Sequence, residues 1–69
     1  MQSIKRPQAL DRAKKLVRLS RIDGRWWVVA RNRGQQVYQA CWESESEAAA
    51  ARLDLIDDVA SQIMVGAFA

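Results

Sequence analysis

Two dipeptides ending in glycine constrain most of what this chain can fold into. Asp23-Gly24 and Arg33-Gly34 bracket the run Arg25-Trp26-Trp27-Val28-Val29-Ala30-Arg31-Asn32. Asp-Gly suits a two-residue hairpin turn, where both central residues take positive φ, and Arg-Gly is a weaker form of the same signal. The bracketed run is rich in aromatic and β-branched side chains, which fit a pleated, half-buried surface. Leu16-Val17-Arg18-Leu19-Ser20-Arg21-Ile22 precedes it, and Val37-Tyr38-Gln39-Ala40-Cys41-Trp42 follows the second turn. The pattern predicts a three-stranded antiparallel meander with strands near 16–22, 25–32 and 36–42.

The next segment changes period. Ser44-Glu45-Ser46-Glu47 fits a capping box, in which the serine hydroxyl accepts a first-turn N–H. Acids at that end suit the positive pole of the helix dipole. Ala48 to Ala51 add helix propensity, and Leu55, Ile56, Val59, Ala60 and Ile63 then recur at three- and four-residue spacing. Leu53 and Met64 widen this stripe, while Asp54, Asp57, Asp58 and Ser61 gather opposite. Arg52 falls inside the stripe and must reach an edge or a carboxylate. Gly66 is a natural stop, after which Phe68 can fold back. The expected helix covers 45–65. The fold class is therefore α+β: a single domain, 1–69, with a sheet over 16–42 and one long C-terminal helix. The basic segment 1–15 admits two readings, a short helix starting near Pro7 with Ala9, Ala13 and Leu16 on one side, or a basic arm.

Register decides which side chains meet the helix. With two-residue loops at both turns, Arg21 lies opposite Trp26 and Trp26 opposite Cys41. One face then collects Val17, Leu19, Arg21, Trp26, Val28, Ala30, Val37, Gln39 and Cys41, and its apolar character assigns it to the core. The other carries Arg18, Arg25 and Arg31 with Trp27, Tyr38 and Trp42. A slip of one residue in either hairpin would exchange these assignments.

Charge divides the chain in the same way. Residues 1–33 hold ten Lys or Arg against Asp11 and Asp23, for +8, and residues 34–69 hold Arg52 against six acids, for −5, which together give the net +3. A basic sheet layer is the footprint of a polyanion site. Arginine forks match phosphates and base edges, and aromatic rings offer bases a surface to pack on. The candidate nucleic-acid contacts are Lys14, Lys15, Arg18, Arg25, Trp27, Arg31 and Arg33. The same aromatics, Trp27, Tyr38 and Trp42, are the candidate interface if the partner is instead a protein.

Catalysis is poorly served. The chain has no histidine, the commonest general base, and Cys41 has no such partner. One cysteine excludes an intrachain disulfide and gives too few ligands for structural zinc. No cofactor is expected. A chain of 69 residues builds a small core, so a homodimer is a natural source of extra stability. No apolar run of membrane-spanning length or signal-peptide core is present, and the expected location is cytoplasmic, with no membrane partner.

The stretch Gly24 to Gly34, followed by Trp42-Glu43-Ser44-Glu45-Ser46-Glu47-Ala48, resembles a three-strand-plus-helix pattern. In it a Trp opens an alternating strand, a Gly closes a turn, an aromatic ends the third strand and a Ser/Thr-x-x-Glu-Ala start opens the helix. The pattern is similar to the arm-type DNA-binding domains of phage integrases and to plant ethylene-response-type domains, and it covers roughly 16–62. It implies a sheet laid in the DNA major groove. The family's core Trp corresponds to Trp26 by alternation or to Trp27 by its spacing to Gly34. No recombinase domain follows, so the resemblance implies a free-standing relative or a fold analogue. Two functions are expected from these features. The first is a small non-enzymatic DNA-binding protein of phage or mobile-element origin. The second is a compact phage-type inhibitor or adaptor that blocks a host defence or regulatory protein complex.

Overall fold

A computed structural model describes residues 4–68, and the first three residues of the basic segment lie outside that range. The order of elements is α1 (Arg6–Leu16), β1 (Val17–Ile22), β2 (Arg25–Asn32), β3 (Gln35–Trp42) and α2 (Glu45–Met64). The three strands form one antiparallel sheet in the order β1-β2-β3. Both helices pack on the same face, and the fold is α+β as the hydrophobic pattern predicts. No helix among the described residues is long and apolar enough to cross a membrane.

Of the two readings of the N-terminal segment, the structure takes the helix. Pro7 sits in its first turn, where a missing N–H costs nothing. Gln8 Oε1 accepts from the Lys5 backbone N–H at 3.3 Å. Ala9 and Ala13 are fully buried against α2, whose Ala48 and Ala60 are equally buried. These small side chains let the helices approach closely. Arg6 crosses to α2, where it pairs with the Asp57 carboxylate and donates to Ser61 Oγ at 3.0 Å.

Helix α2 starts where its cap predicts, with Ser44 Oγ accepting from Glu47 N–H at 3.4 Å. It ends in a Schellman motif, with Ala67 N–H on Gln62 O at 2.8 Å and Gly66 N–H on Ile63 O at 3.1 Å. The chain then folds back and buries Phe68. Ile56, Val59, Ala60 and Ile63 are buried as the spacing predicts. Leu53 and Met64 are not: they are 63% and 40% exposed, so the buried stripe is narrower than expected.

Arg52 resolves its position in the stripe by reaching backbone. Its guanidinium donates to Val17 O at 3.2 Å and to Lys14 O at 3.3 Å. It thereby holds the point where α1 passes directly into β1, and it places a cation at the negative end of the α1 dipole. Arg52→Ala would strand the partly buried Val17 carbonyl. We expect a loss of about 1.5–3 kcal/mol in urea unfolding, at the scale of hydrogen bonds to charged groups.

Both turns are two-residue turns with positive φ: 53° at Asp23, 77° at Gly24, 55° at Arg33 and 79° at Gly34. Such values fit the hairpin turn whose twist matches its strands. The first hairpin keeps the expected register throughout, with Arg21 opposite Trp26 and Val17 opposite Ala30. The second keeps it only next to the turn, where Arg31 lies opposite Gln36. The register then shifts between Ala30 and Arg31, so that Trp26 faces Trp42 and not Cys41. Val37 is the extra residue.

This bulge corrects the assignment of β3. Tyr38, Ala40 and Trp42 share the helix-side face with Ala30, Val28 and Trp26, whereas Gln39 and Cys41 share the outer face with Val29 and Trp27. The physical reason lies in what each alternative would bury. The unshifted register turns the Gln39 amide toward the helices, where it would be costly without partners. The shifted register packs Trp42 against the core beside Trp26. The largest fully buried side chains are only Val17, Val28 and Val59, so a tryptophan at the margin adds substantially to a small core.

Candidate nucleic-acid interface

The face of the sheet opposite the helices is uncovered among the described residues. Its right-handed twist forms an open trough of about 860 Å³. Trp27 and Val29 lie on its floor. Lys15, Arg18 and Arg31 supply its cations, and Gln36 and Gln39 add amides. The Gln36 side chain donates to Gln39 Oε1, which orders two neighbouring amides on β3.

Arg18 projects from β1 and Arg31 from β2, both exposed and both lining the trough. Lys14 and Lys15 stand in the last turn of α1, where cations favour the helix dipole. Lys15 borders the trough, and Lys14 borders a shallower depression shared with Arg18 and Arg52. Arg25 begins β2 on the same face, and its guanidinium donates to Cys41 Sγ at 3.8 Å. Arg33 stands apart in the second turn and does not line the trough. Trp27 is half-buried.

The aromatic trio does not assemble. Trp27 is on the outer face, while the bulge puts Tyr38 and Trp42 on the helix side. Trp42 packs against the core, and Tyr38 remains 38% exposed at its margin. The expected aromatic protein-binding patch is therefore split between two faces. Gln39 and Cys41 take the vacated outer positions, which alternation from the turn could not reveal because nothing in the sequence marks Val37 as an insertion.

The charges on this face are not neutralised internally. The three strands contain Arg18, Arg21, Arg25 and Arg31 and no Asp or Glu. Arg21 lies on the other face, with its guanidinium 5.5 Å from the Trp26 ring centre. Among the described residues the one ion pair is Arg6–Asp57, far from the trough. The cations Lys14, Lys15, Arg18, Arg25, Arg31 and Arg33 are all exposed without a carboxylate at ion-pair distance. The acids lie chiefly on α2 and at its start, across the sheet.

Comparison with protein-family models, with curated proteins and with solved structures found no match to this chain.

Proposed function

We propose that this chain is a small non-enzymatic DNA-binding protein that uses the outer face of its sheet. One observation carries the reading: an uncovered concave sheet face bearing several cations and no carboxylate, set back to back with an acidic helix. A polyanion would be steered to the sheet face and kept off the acidic surface of α2. Trp27 lies between Arg25 and Arg31 in the outer row of β2, and Arg18 lies opposite Val29 in that row, so guanidinium groups can take phosphates or base edges while the indole packs on sugar or base. Lys14, Lys15, Arg25 and Arg33 extend the cationic rim. The resemblance to integrase arm-type domains points to the same layer. With Tyr38 and Trp42 turned to the helix side, the outer face owes its character to charge more than to aromatic area, which favours DNA over the protein-inhibitor reading.

The test is fluorescence anisotropy with a labelled DNA duplex. Arg31→Ala should weaken binding by roughly 1–3 kcal/mol if Arg31 touches bases. Asp54→Ala, on the acidic helix face, should change little. Equal effects from both substitutions would show that the outer face is not the site.

A further inference from the structure

The bulge at Val37 does more than turn Trp42 toward the helices. Gln36 and Gln39 stand three residues apart. In a regular strand that spacing puts two side chains on opposite faces, because alternation has a period of two. The extra residue between them cancels the rule. Gln36 lies opposite Arg31 and Gln39 opposite Val29, which are successive positions in the outer row of β2. Both glutamines are exposed and both line the trough. A bulge beside a functional surface re-aims side chains in this way.

The two amides then meet, with Gln36 Nε2 donating to Gln39 Oε1. Water competes for both groups in the open trough, so the bond adds little stability. Its consequence is orientation. A free glutamine amide can rotate and exchange the places of its oxygen and nitrogen, and the donor from Gln36 fixes the oxygen side of Gln39. Oε1 keeps its second lone pair. Gln39 Nε2 keeps both hydrogens, with no partner among the described residues. The exposed end of Gln39 is thus one donor beside one acceptor, in a fixed order.

We infer that Gln39, held by Gln36, is a base-reading residue that selects adenine in duplex DNA; this rests on the nucleic-acid reading of the trough. In the major groove adenine presents an N7 acceptor beside an N6–H donor, and the amide meets both, with Nε2–H donating to N7 and Oε1 accepting from N6–H. Guanine sets two acceptors there, so Oε1 would face O6. Cytosine offers only a donor, and thymine only an acceptor and a methyl group, so neither completes the pair. Arg31 opposite Gln36, and Arg18 across Val29 from Gln39, place cations on two sides of the amides. Where such cations take phosphates they fix the register of the protein on the duplex, and the neutral amide supplies selectivity.

The experiment is a selection by the full chain from duplexes with a randomised core, at about 50 mM salt, with the bound molecules sequenced and the affinity of the pool measured by anisotropy. The wild type should enrich adenine at one position by on the order of tenfold, the discrimination of a single bidentate pair. Gln39→Ala, at an exposed position, should abolish that preference with the far-ultraviolet circular dichroism unchanged. It should leave the salt slope of binding as it was, because the amide carries no charge. Gln39→Glu can only accept, so the preference should move toward cytosine, whose N4 amino group donates. Gln36→Ala should reduce the adenine preference several-fold with Gln39 still in place. Duplex binding without any adenine-preferring position, or an adenine preference that survives Gln39→Ala, would overturn the inference and leave the nucleic-acid reading standing. A pool that does not bind at all would overturn both.

Discussion

Val28→Asp is expected to leave the chain unfolded at room temperature. Val28 is fully buried at the centre of β2, between Leu19 on one side and Ala40 on the other, and α2 lies over it. No charged side chain among the described residues is buried there to pair with the new carboxylate. An unpaired carboxylate there costs several kcal/mol or is neutralised at a similar cost. A single core in a domain of this size rarely supplies more than about 3–5 kcal/mol. One substitution therefore removes the whole margin, and far-ultraviolet circular dichroism should report loss of both sheet and helix. Leu53→Asp is the contrasting case. Leu53 looks like a core residue by its type and helix position, yet it is 63% exposed. Its substitution should change stability by no more than about 0.5 kcal/mol, as surface changes usually do. Unfolding by Leu53→Asp together with tolerance of Val28→Asp would mean that the assigned faces are reversed.

The sequence signals that survive into the structure are those with a local cause. Asp23-Gly24 sets its own turn, and the β1–β2 register follows from it without interruption. Ser44 opens α2 and Gly66 closes it, at the positions their chemistry predicts. The features that were not legible depend on contacts between elements. Val37 is as good a strand residue as its neighbours, so its bulge carries no mark of its own. Packing creates it, by preferring Trp42 to Gln39 beneath the helices. Leu53 misleads for a related reason, since periodicity gives the direction of a stripe but not its width. The choice of helix over arm for residues 6–16 likewise rests on Ala9 and Ala13 docking against α2. Within the candidate site, Arg18, Arg25, Trp27 and Arg31 belong to strands whose register was legible, and they share one face. Tyr38 and Trp42 depended on β3 and moved.

The second large effect concerns salt. If the outer face binds duplex DNA, affinity should fall by on the order of a thousandfold between about 50 and about 200 mM salt, given roughly six neutralised phosphates. Six exposed cations without internal carboxylate partners, Lys14, Lys15, Arg18, Arg25, Arg31 and Arg33, are available for those contacts. Each contact contributes about 0.9 to the slope of log affinity against log salt. Removing both Arg18 and Arg31 should therefore lower that slope by about 2, as well as weakening binding. Trp27→Ala should weaken binding by about 1–3 kcal/mol and leave the slope unchanged, because stacking releases no counterion. A protein-binding aromatic hot spot would give the opposite signature, with Trp27 dominant and little dependence on salt.

A salt-resolved duplex titration decides whether the carboxylate-free outer face of the sheet binds DNA. Binding is expected at about 50 mM salt with low-micromolar protein, with a steep linear loss as salt rises and a shallower slope for the Arg18→Ala, Arg31→Ala double variant. No binding at about 50 mM salt and about 10 µM protein, a concentration that already detects ordinary non-specific duplex binding, would contradict it.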